Sequence, residues 1–157
     1  MIDSKTVAER FEGVVAPDVR GGEGISLPRH RAHELLKFLR DDAGLTFNLL
    51  IDLTAVDYRG RSPRFEVVYQ LYSFATKRRL RVRVGIPEED PSVDSAHDLW
   101  KCADWYEREA FDMFGIRFIG HPDLRRILLF EGFQGHPLRK DYPMERRQKI
   151  PVPAEKP

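Results

Sequence analysis

A reacting centre could be assembled from His97, His121, Asp123, His136 and Asp141. Imidazoles and carboxylates are the donors of hydrolytic metal sites and of acid–base pairs. A small metal-dependent hydrolase built on His121, Asp123 and His136 is therefore the enzyme this sequence would allow. The spacings do not favour it. There is no HExxH helix pattern, no GxSxG elbow, no Walker-type loop and no GxGxxG after a strand. Gly21-Gly22-Glu23-Gly24 is glycine-rich but leads into a short strand and Pro28, not into a helix that could hold a phosphate. His121 and His136 each stand between a glycine and a proline, which suits turns whose imidazoles bond nearby backbone. The single Cys102 excludes an internal disulfide and any cysteine-ligated zinc or iron–sulfur site. On the apolar edge of a helix it reads as inert packing.

The elements that would position such groups follow from periodicity. A short helix is expected over residues 6–11, then short strands at 14–15 and 24–27 separated by a loop at 17–22. A helix from about Arg29 to Asp42 carries Leu35, Leu36 and Leu39 at helical spacing, with Gly44 as its stop. Three strands of period two come next. Over 47–56 one face carries Phe47, Leu49, Ile51, Leu53 and Ala55, and over 65–73 it carries Phe65, Val67, Tyr69 and Leu71. Leu80, Val82, Val84 and Ile86 alternate with Arg79, Arg81 and Arg83, and the arginines read as a solvated face. Short turns make these an antiparallel meander with one buried side. The expected class is α+β: an antiparallel or mixed sheet packed by short helices. Residues 1–120 form the domain, and 121–157 an extended docking segment with a proline-rich tail.

The stretch from Asp104 to Pro143 organises the rest. Its first third is helical: Leu99, Ala103, Tyr106, Ala110, Met113 and Phe114 share one stripe, with Ser95 as N-cap and Gly115 just past the end. Glu107 falls inside the apolar arc, where a carboxylate is costly to bury unless a cation or several donors meet it, and an arginine partner is expected, either in this chain or across an interface. Arg117, Arg125, Arg126, Arg139 and Lys140 are the candidates. Glu109 lies at the opposite edge, while Arg108 and Asp112 point away and pair at i,i+4. A short strand over 116–119 is expected at the sheet edge.

The chain of 157 residues is 41% hydrophobic and 32% charged, which suits one globular domain, and its net charge of +1 argues against a global attraction to nucleic acid. Between Arg117 and Lys149 there are eight basic residues against four acidic ones, interleaved with Phe130, Phe133 and Tyr142. No RRM, KH or helix-turn-helix pattern accompanies them, and the acids suit salt bridges better than a phosphate track. No apolar run approaches the roughly 18 residues of a membrane span. Asp3, Glu9 and Glu12 argue against a secretory signal or a presequence, so a cytosol-facing chain is expected. Dense arginine and aromatic composition of this kind resembles the anchoring patches of permanent protein interfaces.

The order Glu107-Arg108-Glu109, Asp112-Met113-Phe114, His121, Arg125-Arg126-Ile127-Leu128 resembles the pattern of the 30 kDa subunit family of respiratory complex I, its C subunit in bacteria. The run Gly135-His136-Pro137-Leu138-Arg139-Lys140-Asp141-Tyr142-Pro143 looks like that family's second hallmark. The resemblance implies a non-catalytic scaffold in the peripheral arm of a proton-translocating NADH–quinone oxidoreductase. It would lie on the cytoplasmic face of the bacterial inner membrane, packed on the large D subunit of the quinone module. It implies no cofactor in this chain, with flavin mononucleotide and iron–sulfur clusters in partner subunits. Equivalent subunits serve membrane-bound hydrogenases and formate hydrogenlyases. The residues expected to serve the interface are Glu107, Arg108, Glu109, Asp112, Phe114, His121, Arg125 and Arg126 of the first motif, His136, Arg139, Lys140, Asp141 and Tyr142 of the second, and Phe130 and Phe133 between them.

Overall fold

The computed structural model describes residues 23–150 together with Val7, Glu9, Phe11 and Val14. The helix expected over 6–11, the strand at 14–15 and the loop at 17–22 therefore fall largely outside the described residues. Of them, Val7 and Glu9 are helical, and Val7, Phe11 and Val14 are buried in the core.

Strand β1 (Glu23–Pro28) runs into a 3₁₀ turn (Arg29–Arg31) and helix α1 (Ala32–Asp41). Strands β2 (Leu49–Asp57), β3 (Phe65–Ser73) and β4 (Arg78–Ile86) form the expected antiparallel meander. β1 adds to it in parallel beside β4, which makes the sheet mixed, in the order β1-β4-β3-β2. The alternation reads correctly in β3 and β4: Phe65, Val67, Tyr69, Leu71, Leu80, Val82, Val84 and Ile86 are all buried. Leu35, Leu36 and Leu39 of α1 pack into the same core. On the opposite side Arg79 is exposed and Arg81 and Arg83 are half-buried.

Several sequence expectations are corrected. In β2 the register shifts between Leu50 and Asp52, so Leu50, Leu53 and Ala55 face the core while Ile51 is exposed. A single extra residue within the strand puts Leu50 rather than Ile51 inward, while Phe47, ahead of the strand, is buried as expected. Tyr106 Oη donates to the Ile51 carbonyl (3.0 Å) and Cys102 Sγ to that of Leu50 (3.6 Å), so the bulge is closed by the next helix. Gly44 is not the stop of α1. The C-cap Asp42 is extended, its Oδ1 accepts the Gly44 N–H, and the left-handed residue is Thr46 (φ 45°).

The central helix α2 (Ala103–Phe114) starts later than its sequence suggests. Ser95 does not cap it; a turn at residues 97–102 intervenes, and Cys102 stands at the N-cap, exposed, rather than on a packed edge. Partial desolvation of its sulfur pushes the Cys102 thiol up, away from reactivity. Gly115 at the C-cap has φ 75°, as its position requires. The strand expected over 116–119 does not join the main sheet. It forms β6 (Arg117–Ile119), which pairs in parallel with β5 (Ser92–Asp94). From Gly120 to Ile150 the chain consists of turns and irregular backbone.

Candidate functional site

Two carboxylates of α2 are fully buried, Glu107 and Asp112. Helix phase alone turns Asp112 toward solvent and Arg108, and the structure corrects this. Its Oδ2 accepts three successive backbone N–H groups, from Ile127 (3.0 Å), Leu128 (2.9 Å) and Leu129 (2.9 Å). Its Oδ1 takes Arg126 Nη1 at 2.7 Å. Burial alone would raise this carboxyl, but the Leu129 N–H, the Arg126 guanidinium and the N–H groups of Leu128 and Ile127 outweigh it and hold Asp112 below the usual range. Arg108, freed from Asp112, donates to the carbonyls of Arg125 (3.2 Å) and Arg126 (3.3 Å) and lies over the exposed ring of Trp105. Helix periodicity fails for Asp112 because its outward side is covered by chain distant in sequence.

The Gly-His-Pro-Leu-Arg run closes the end of the same helix. His136 Nδ1 donates to the Asp112 carbonyl (2.9 Å), the Leu138 N–H to that of Met113 (3.1 Å), and Arg139 Nε to that of Phe114. Three carbonyls that a helix C-terminus leaves without partners are thereby met, and a guanidinium sits where the helix dipole favours a cation. A side chain at Gly115 would collide here, since an added Cβ would lie 2.6 Å from His136 Nε2 and 2.7 Å from Arg139 Nη2. Burial, with help from Arg139 and Arg126, pushes the His136 imidazole down and keeps it neutral.

The run continues onto the sheet. The Lys140 N–H donates to Asp57 Oδ2 (2.8 Å), and Asp141 meets Arg64 at 2.9 Å. Arg64 is buried and also holds Asp57 (2.8 Å) and Glu88, one guanidinium joining three carboxylates from separate parts of the chain. Its pKa is raised, first by Asp57 and then by Asp141, and Asp57 and Asp141 are both held below the usual carboxylate range by Arg64. Sequence reasoning misses Asp57, Arg64 and Glu88. They flank turns, and no local pattern marks them as belonging with the last third.

The aromatic residues are partly self-satisfied. Phe130 meets Phe133 edge-on at 5.4 Å, and Phe133 stacks on Tyr142 at 6.1 Å, with Arg126 over Phe133. Phe130 and Phe133 are thus half-buried within the segment rather than standing free as anchors. Arg125 is exposed and pairs with Asp123, Glu109 is exposed, and Phe114 belongs to the core. The exposed large apolar side chains of the segment are Leu128 (62% exposed), Leu138, Met144 (100%) and Ile150, with Trp105 and Ile119 on the helix and β6, and they stand among exposed charges such as Arg125, Glu131, Glu145, Arg146 and Arg147. Sequence reasoning singles out none of these apolar side chains, because a segment without a period gives no face to read.

Among the described residues no arginine of this chain meets Glu107, which corrects the expectation of a partner within the chain. Oε2 accepts Ser95 Oγ–H and Oε1 the Ala96 N–H, both at 2.6 Å. The basic group nearest it is His121, whose Nε2 lies 4.0 Å from Oε2. Two neutral donors stand where the cation was expected, and the candidate arginines are engaged elsewhere: Arg126 with Asp112, Arg139 with the Phe114 carbonyl, Arg117 with Asp90 and Arg125 with Asp123. His121 and His136 are engaged by backbone, as their turns suggest. Among the described residues no group of three or more His, Cys, Asp or Glu could hold a metal ion. No described helix is long and apolar enough to cross a membrane.

Comparison with known proteins is consistent with this arrangement. The family model described as the 30 kDa subunit of respiratory-chain NADH dehydrogenase matches residues 25–148. The NADH-quinone oxidoreductase C subunit of Citrifermentans bemidjiense is 49% identical over 145 residues, covering 91% of this chain and 89% of that protein. The C subunit of Roseiflexus sp. is 47% identical over 149 residues, covering 91% and 86%. Among solved structures, the trypsin-resistant fragment (1–134) of Nqo5 superposes with a TM-score of 0.66 at 39% identity, covering 73% of this chain and 92% of the fragment. A chain of an archaeal membrane-bound sulfane sulfur reductase shares the fold, with a TM-score of 0.76 at 23% identity over 90% of this chain and 84% of that one.

Proposed function

We propose, starting from the fact that this chain belongs to the family of the 30 kDa subunit of respiratory-chain NADH dehydrogenase, that it is a non-catalytic scaffold of the quinone module. It packs on the large D subunit at the cytoplasmic face of the bacterial inner membrane, as a peripheral component. Electron transfer from NADH to quinone runs through flavin and iron–sulfur groups of the partners, and this chain holds the module in shape. Relatives sharing about half its residues are C subunits of NADH–quinone oxidoreductases, which favours that assembly over a membrane-bound hydrogenase.

The observation that carries the reading is the division of labour within 121–150. Its hallmark residues Arg126, His136 and Arg139 bond inward to α2, and the exposed Asp141 pairs with Arg64, so that irregular backbone is fixed onto α2 and the sheet. Its leucines 128 and 138 and Met144 face outward. A coil already fixed in place loses little conformational freedom on docking, and exposed apolar chains supply the contact. Converting Leu128, Leu138 and Met144 together to Asp tests this. The variant should keep the thermal transition of the parent to within a few degrees but no longer co-purify with the large D subunit. Undiminished co-purification would move the interface elsewhere, most plainly to the Arg79–Arg83 face, and a collapsed transition would make these side chains core.

A further inference from the structure

Glu107 occupies an unusual position for a carboxylate. It is fully buried, and among the described residues no lysine or arginine pairs with it. Its surroundings are acidic. Asp104 lies one turn earlier on α2, Asp98 follows in the turn before the helix, and Asp94 ends β5. From the sheet side, the buried Tyr69 of β3 lies within electrostatic range of Glu107 and Asp94, and its hydroxyl has no hydrogen-bond partner among the described residues. From the loop after β6 comes His121, with the His97 ring 6.0 Å from its own.

His121 cannot serve as the missing cation without loss. Its Nδ1 accepts the Asp123 N–H (3.0 Å), so the ring proton is on Nε2 and is donated to the Asp104 carbonyl (3.2 Å). An imidazolium would carry a second proton on Nδ1 and break the bond to Asp123, which fixes the root of the 121–150 segment. Among the described residues Ser95 and Ala96 remain as the donors to Glu107, and two neutral donors are weak compensation for a fully desolvated charge.

We propose that Glu107 is a buried proton-binding site. It takes up one solvent proton as the junction between β5, α2 and the root of the 121–150 segment closes, so the junction is held more firmly in mildly acidic than in mildly alkaline solution. The new O–H bond forms on the carboxyl, and its hydrogen can be donated to Ser95 Oγ. That oxygen then accepts from Glu107 as well as from the His97 N–H (3.1 Å) instead of donating. Burial first, then Asp104 and Asp98 against the opposing Ser95 and Ala96 bonds, pushes the Glu107 carboxyl up to about 7, within the range where cells work. This property belongs to the chain alone and holds whether or not the assembly reading is right.

The test is amide exchange on the full-length chain without partners, corrected for the intrinsic rate at each pH. Protection of the Ala96 and Asp123 N–H groups should fall about tenfold between pH 6 and pH 8, the drop set by a group titrating near 7 in the closed state and near 4.3 in the open one. In Glu107→Gln protection should stay within about twofold, and in His121→Gln, which removes the acceptor of the Asp123 N–H, the fall at the Ala96 N–H should persist. Protection independent of pH in the parent, or an unchanged fall in Glu107→Gln, would overturn the proposal. So would loss of the fall at Ala96 in His121→Gln, which would make the imidazole the titrating group. Should a variant not fold, infrared spectra of the parent decide: a protonated carboxyl stretch should be present at pH 6 and gone by pH 8, and its absence at pH 6 overturns the assignment.

Discussion

Glu107 and Asp112 lie on one helix, fully buried, and are held in opposite ways. Asp112 collects three backbone N–H groups and a guanidinium and is driven toward ionisation. Glu107 collects a hydroxyl and one N–H, with acids around it, and is driven toward its neutral form. Burial is common to both and acts in the same direction on both. The sign of the outcome is set by the number of donors and the nearness of a full positive charge. Asp112 therefore works as an anchor for distant chain, whereas Glu107 works as a packed polar contact that tolerates charge poorly. The first end of α2 can respond to pH near neutrality, and the second end cannot.

The largest effect that would break this contrast is expected at the anchor. Asp112→Ala strands the Arg126 guanidinium and leaves three successive N–H groups without their acceptor. It should cost about 3–5 kcal/mol, read by urea denaturation at pH 7. Limited proteolysis should then cut within 121–150 before the rest of the chain. A loss below about 1 kcal/mol would mean that the segment holds its place without Asp112.

A smaller effect, of opposite pH dependence, is expected at Glu107. A carboxyl raised from about 4.3 unfolded to about 7 folded contributes stability that is fully present below the unfolded value and lost as pH rises through the folded one. The parent should therefore lose about 3 kcal/mol relative to Glu107→Gln between pH 4.5 and pH 7.5, measured as the difference in unfolding free energy at each pH. Asp112 runs the other way: its folded pKa is depressed, so its contribution is present above its unfolded pKa and disappears as pH falls through the folded value. Acid should thus release the 121–150 segment at a pH well below that at which the Glu107 junction tightens. A parallel pH dependence for parent and Glu107→Gln would show that Glu107 is ionised throughout.

The smallest effect sharpens the contrast by removing burial. Glu109, on the same helix but exposed, should change stability by no more than about 0.5 kcal/mol when replaced by alanine, at either pH. A larger change in the isolated chain would mean that position on the helix, rather than environment, governs its carboxylates.

The sequence by itself determined the α+β class, the meander with Phe65–Leu71 and Leu80–Ile86 inward, the C-terminal glycine of α2 and the burial of Glu107. Each of these rests on local period or turn chemistry, which a neighbour in sequence suffices to specify. The two motifs around Asp112 and Gly135 were also legible, and they indicated the family correctly. What only the tertiary structure decided was the partner of each charge. The pairing of Asp112 with residues 126–129, of Arg64 with Asp141 and of Glu107 with Ser95 joins positions that no periodicity links. The bulge at Ile51 belongs to the same class, since one residue out of register reverses a face that the alternation alone would assign the other way. A charge in a nearly dry interior is satisfied by whatever the fold brings within about 3 Å, and that distance is set by the packing of the whole chain.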